Sequence, residues 1–183
     1  MSLERLVYAS RATFALSRSG IEPEVGRILM QSRRHNPRRG LVGGLYFGDG
    51  HFFQCLEGEA AAIDKLMALL ATDPRHTEIT VLRRDPITES TFAGWGMKYV
   101  PNATEVKRLL AQHGQNRFDP ATFPEAMTTA MVELMRRGPD GTPPGAIDPA
   151  AQPHARGQDR VARGLGAVAL LISLLALAIS LVG

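Results

Sequence analysis

His51-Phe52-Phe53-Gln54-Cys55-Leu56-Glu57-Gly58 reads as a β-strand with one residue that its neighbours do not explain. With a period of two, Phe52, Gln54 and Leu56 share one face, and Phe53, Cys55 and Glu57 share the other. The carboxamide of Gln54 therefore points where its neighbours are apolar. Left without partners there, an amide costs about 1–3 kcal/mol. A partner with both donors and acceptors, such as the edge of a heterocyclic cofactor, meets that need and makes the orientation of the amide informative.

Outward from this strand, Leu41–Phe47 reads as a second strand, and Gly48-Asp49-Gly50 supplies the chemistry of a hairpin that pairs the two antiparallel. Leu3–Ser10 is an earlier strand, with Leu6, Tyr8 and Ser10 on one side. Pro23 opens a helix that runs to about Arg34, with Val25, Ile28, Leu29 and Ser32 on one stripe, and ends near Asn36-Pro37 because proline disfavours a helical residue before it. Glu59–Ala71 carries Ile63, Leu66, Met67 and Leu70 at helical spacing, and Asp73-Pro74 closes it. Glu78–Leu82 and Gly94–Val100 read as a fourth and a fifth strand. This order predicts a ferredoxin-like α+β sandwich, a mixed five-stranded sheet with two helices on one face. Two short helices, Thr104–His113 and Pro124–Arg137, are expected to cover the other face.

The sequence thus divides into a sensor-sized domain over 1–101, capping helices over 102–137, a linker over 138–163 rich in Gly and Pro, and a tail over 164–183. The tail, GLGAVALLISLLALAISLVG, carries no charge and has the length of about 20 residues that a membrane-spanning helix needs. Arg156, Arg160 and Arg163 precede it. The expectation is a C-terminal transmembrane helix, tail-anchored in the inner or plasma membrane, with the N-terminal part in the cytoplasm. Glu4 and Arg5 interrupt the first apolar residues, which excludes a secretory signal there. Cys55 is the single cysteine, so an intramolecular disulfide and a CxxC metal site are both excluded. The net charge of +3 comes with no nucleic-acid-binding module, and the arginines at 33, 34, 38 and 39 read as a solvated helix end.

Five motifs occur together in one order: Tyr8-Ala9-Ser10, His35-Asn36, Phe53-Gln54-Cys55-Leu56-Glu57-Gly58, Asp73-Pro74-Arg75-His76 and Phe92-Ala93-Gly94-Trp95-Gly96-Met97. Their combination over about Leu3–Pro101 resembles the BLUF family, blue-light receptors that use flavin. The resemblance implies a flavin ring between the two helices on one sheet face, FAD being favoured and FMN allowed. It implies that Tyr8 donates an electron and proton to the excited ring and that Gln54 is the switching amide between phenol and ring. Asn36 matches the amide at the ring's polar edge, Arg75 the basic residue near its far carbonyl, and Ser10, His35 and His76 flanking positions. Trp95 and Met97 match a pair on the last strand, and the sequence leaves open which of them sits near Gln54.

The implied function is that of a photoreceptor and not an enzyme. Light leaves Gln54 flipped or tautomerised, the absorption reddens, and the change passes to the last strand. The segment after Arg137 is too short and irregular for an output enzyme, so the expected partners are a separate downstream protein, the membrane and a second copy of the chain. Two other readings compete. An acylphosphatase-like hydrolase shares the fold, but no phosphate-cradling glycine loop followed by arginine lies near the first strand. A flavin-free membrane-anchored adaptor uses Gln54 only to tie strands together.

Overall fold

Alternation along two neighbouring strands organises this molecule into a sheet with two covered faces. The computed structural model describes residues 2–17, 22–100 and 103–139. All of them fall within one compact unit, residues 1–146; a second unit, 147–183, lies outside the described residues. Strands β1 (Leu3–Ala12), β2 (Val42–Gly48), β3 (His51–Glu59), β4 (His76–Pro86) and β5 (Lys98–Tyr99) form one sheet in the order β4-β1-β3-β2-β5. Three pairings are antiparallel and β2–β5 is parallel, so the sheet is mixed as expected. The β2–β3 hairpin turns at Asp49 and Gly50, both at positive φ (46° and 79°), the backbone that an Asp-Gly pair tolerates.

Helices α1 (Pro23–His35) and α2 (Ala60–Leu70) cover one face, burying Leu6, Tyr8, Leu29, Leu45, Phe52, Leu56 and Ile63 between them and the sheet. Helices α3 (Ala103–Gln112) and α4 (Glu125–Arg137) serve the other face, where Val7, Phe53, Cys55, Leu110, Met127, Met131 and Met135 pack. The split of Leu6 and Tyr8 from Val7, and of Phe52 and Leu56 from Phe53 and Cys55, is the period-two pattern read from the sequence.

Two strands depart from expectation. β4 is longer than Glu78–Leu82, and β5 keeps only Lys98 and Tyr99 of the expected Gly94–Val100. The reason lies in where the backbone groups of this segment go. Trp95 O accepts from Gly43 N–H, Gly96 O from Asn36 Nδ2 and Met97 O from Arg33 Nε, so the chain before Lys98 is held by other partners than a ladder. Upstream, the buried carboxylate of Glu57 accepts from Arg5 Nε (2.8 Å), Ser90 Oγ (2.6 Å), Thr91 N–H (2.7 Å), Thr91 Oγ1 (2.8 Å) and Phe92 N–H (3.2 Å). It fastens the loop between β4 and β5 to the sheet.

The expected transmembrane helix does not stand as part of the fold. No helix among the described residues is long and apolar enough to cross a membrane; α1 and α4 reach only 13 residues and carry charges, against the roughly 20 apolar residues a span requires. Gly164–Gly183 and most of the expected linker lie outside the described residues.

Burial opposes ionisation of Glu57, but the hydrogen bonds from Ser90, Thr91 and Arg5 and the charge of Arg5 outweigh it, and the carboxyl stays below its ordinary range. Replacing Glu57 with alanine leaves Arg5 and two amides without their acceptor and is expected to cost about 3 kcal/mol in urea unfolding. The wild-type advantage is full above the ordinary carboxylate pKa and disappears as pH falls through the lowered value.

Candidate functional site

Antiparallel register sets Tyr8 on β1 directly opposite Gln54 on β3. Their side chains leave the same face, and the Tyr8 phenol donates to Gln54 Oε1 at 2.5 Å. Both are buried, Tyr8 fully. The phenol is pushed well above its ordinary pKa, chiefly by burial and also by the negative charge of Asp73, so it holds its proton. On the other side of the amide, Gln54 Nε2 donates to Met97 Sδ at 3.6 Å. A thioether is a weak acceptor, so this second bond restrains the amide far less than the first.

The choice between Trp95 and Met97 is settled by position. Met97 is 1% exposed and packs with Tyr8 and Leu45 against the amide; Trp95 is 40% exposed, with Lys98 Nζ 5.7 Å from its ring centre. Gly96 between them abuts the turn after α1: a Cβ there meets Pro37 Cγ at 2.7 Å, so only glycine allows this approach.

Between α1 and α2 opens a cavity of about 270 Å3, just below the usual size range of ligand clefts. Ile28, Leu66 and Leu70 supply apolar wall, while His35, Asn36, Arg75 and His76 supply polar groups. Asn36 follows the last residue of α1, its N–H bonded to Ser32 O and its carbonyl accepting from Arg39 and Leu41 N–H, which fixes where its side chain starts. Arg75 is bound through Nε and Nη2 to Asp73 and through Nη2 to Gln31 Oε1 at 2.8 Å. These contacts hold the Asp73 carboxyl down at about 2, with hydrogen bonds from Arg75 as the main cause.

His76 is buried against Phe52, ring centres 4.6 Å apart. Its Nδ1 is 2.8 Å from Ser10 Oγ, and its Nε2 is the one buried side-chain nitrogen or oxygen among the described residues with no hydrogen-bond partner. Native proteins rarely leave such a group unmatched, so a partner from outside the chain, a solvent molecule or a ligand, is expected there. Of the residues read from the sequence, His35, Asn36, Arg75 and His76 line this cavity; Tyr8, Gln54 and Met97 form a deeper cluster outside its lining. Ser10 reaches it only through His76, and Trp95 stands apart from both groups. Sequence reasoning gave no role to Arg33, Glu57 or Lys98. Glu57 carried a signal, a carboxylate on the strand face of Phe53 and Cys55, but its partners lie more than 30 residues away.

An orphaned imidazole nitrogen, an asparagine and an arginine beside apolar walls suit the polar edge of a flat heterocycle such as a flavin. Burial is the main reason His76 titrates low, at about 4 against an ordinary 6.5, with Arg75 adding to the effect and Asp73 opposing it. Between those two values the unfolded chain binds more protons, so stability falls as pH drops from 6.5 toward 4. A His76→Gln protein is expected to lose that part of the slope, as read by thermal unfolding across the same pH range.

The family model "BLUF: Sensors of blue-light using FAD" matches residues 3–98. Photoactivated adenylate cyclase subunit beta of Euglena gracilis is 32% identical over 91 residues, 50% of this chain and 10% of the relative, so the chain spans about a tenth of that protein's length. Among solved structures, BlsA in its ground state superposes with a TM-score of 0.69 at 29% identity, over 76% of this chain and 91% of that one. The dark-state structure of BlrB, a BLUF protein, gives 0.60 at 29% identity, over 74% and 96%.

Proposed function

This chain belongs to the BLUF family of blue-light sensors using FAD, and from that premise we propose that it reports illumination by rearranging the hydrogen bonds of Gln54. The observation that carries the reading is the amide's position, its oxygen on the Tyr8 phenol at 2.5 Å and its nitrogen on the Met97 sulfur at 3.6 Å. FAD is the proposed cofactor, held by Asn36, Arg75 and His76, with His35 at the rim. When bound, the flavin supplies absorption of blue light and, once excited, the demand for an electron.

The residues do the rest. Loss of an electron makes the Tyr8 phenol strongly acidic, and its proton moves from Oη to Gln54 Oε1 along the short bond. When the electron returns, the Tyr8 phenolate takes one proton back from the protonated amide. If Oε1 gives it up, the neutral amide can settle turned by half a turn; if the turned Nε2 gives it up, Gln54 is left as its imidic tautomer. Turning places Nε2 on the phenol and Oε1 on Met97 Sδ, which has no hydrogen to give. Met97 then loses its one polar contact with Gln54 and repacks, because a close-packed pocket moves between discrete arrangements.

Met97 is followed by Lys98, which pairs with Gly44 on β2 and donates Nζ to Arg136 O in the last turn of α4 at 2.8 Å. We place the output at this helix end and propose a separate downstream protein as its receiver. No catalytic step is assigned to the chain.

The purified protein is expected to be yellow and to shift its absorption to longer wavelength under blue light. Gln54→Leu and Tyr8→Phe are each expected to retain flavin and lose the shift. A preserved red shift in Gln54→Leu refutes the proposed switch, and colourless protein that takes up no flavin refutes the whole reading.

A further inference from the structure

Ser10 and His76 meet across 66 residues of sequence, and the fold treats the two ring nitrogens differently. Nδ1 faces the Ser10 hydroxyl at 2.8 Å, while Nε2 is buried and unmatched. His76 is 8% exposed and lines the cavity between α1 and α2; Ser10 is 2% exposed and lines the groove at the end of β1 but not this cavity. Serine therefore acts on the cavity through the ring.

A neutral imidazole carries one proton, so one nitrogen donates and the other accepts. Burial, the main cause, and Arg75 keep this ring neutral, against the pull of Asp73. If the proton sat on Nδ1, it would be given to Ser10 Oγ, and the buried serine hydroxyl would have no acceptor for its own hydrogen among the contacts it makes here. With the proton on Nε2, the hydroxyl donates to Nδ1 and both groups are matched on that side. The second arrangement leaves only the buried Nε2–H of a cavity-lining ring without an acceptor, which a bound group then satisfies. Phe52 packs against the ring and holds its plane.

The geometry points to Ser10 as a positioning residue, whose hydroxyl donates to Nδ1, fixes His76 as the Nε2–H tautomer and so presents one donor to a carbonyl-type acceptor in the cavity. The inference rests on the reading that this cavity takes the carbonyl edge of a flavin ring. It makes the residue after Ala9 a determinant of ligand polarity without contact to the ligand.

Nitrogen-15 NMR of the full chain, freed of flavin, reads the tautomer directly. In wild type, His76 is expected to show a protonated Nε2 and a pyridine-like Nδ1. Ser10→Ala is expected to give a mixture of both tautomers, and Ser10→Thr to restore one. FAD titration followed by flavin fluorescence is expected to weaken about three- to tenfold in Ser10→Ala, the range of one net hydrogen bond, and by less than about twofold in Ser10→Thr. A proton on Nδ1 in wild type overturns the inference whether or not the variants fold, and so does an unchanged tautomer in folded Ser10→Ala. If the tautomer results hold and no FAD binds, the positioning role stands and the flavin reading fails.

Discussion

A single bond between neighbouring strands, from the Tyr8 phenol to the Gln54 amide oxygen, is the contact on which the rest of this molecule depends. It exists because β1 and β3 are adjacent and in a register that sets these two residues face to face. Its strength comes from burial: the phenol is fully buried and keeps its proton, and on its other side the amide nitrogen meets the Met97 sulfur. Under the proposed function, this asymmetry is what lets Gln54 serve as a two-state element. One bond defines its present orientation, and the weaker contact offers little resistance once the proton on the phenol is disturbed.

Around that pair, the fold supplies restraint where a switch needs a fixed frame and freedom where it needs a moving part. The chain from Trp95 to Met97 has no ladder of its own, yet each of its carbonyls is taken by Gly43, Asn36 or Arg33. Asn36 thus stands at the cavity and at Gly96 together, which ties the cavity to the segment that carries Met97. Glu57, on the opposite face of β3 from Gln54, anchors the preceding loop with four hydrogen bonds and is held by a fifth from Arg5 on β1. A movement of Met97 is therefore confined to a short piece of chain between two clamps, with Lys98 and the end of α4 next in line.

Much of this was legible in the sequence because it depends on short-range pattern. Alternation assigned Leu6, Tyr8, Phe52 and Leu56 to one sheet face, Asp49-Gly50 marked the hairpin, and helical spacing marked α1 and α2. The polar residues gathered at the cavity were legible as a set through family likeness. What escaped was what depends on distant partners. β5 shrank to two residues because side chains from α1 and a glycine of β2 took the backbone groups a strand uses. The burial of Met97 and exposure of Trp95 follow from Gly96 packing on Pro37, which spacing alone does not reveal. Ser10 was read as a flanking position of the cofactor site; its bond to His76, 66 positions away, which lines the cavity where Ser10 does not, was not legible from spacing. The apolar run at 164–183 was read by length and composition, and nothing in the described fold continues it as a membrane helix.

The most direct test of the central claim is an infrared difference spectrum, blue light minus dark, on protein carrying isotope-labelled glutamine side chains, with Gln54→Leu as the reference that assigns the bands. The account predicts that an amide carbonyl band belonging to Gln54 changes frequency on illumination and returns in the dark. Label-sensitive bands that stay unchanged while the visible absorption shifts contradict it.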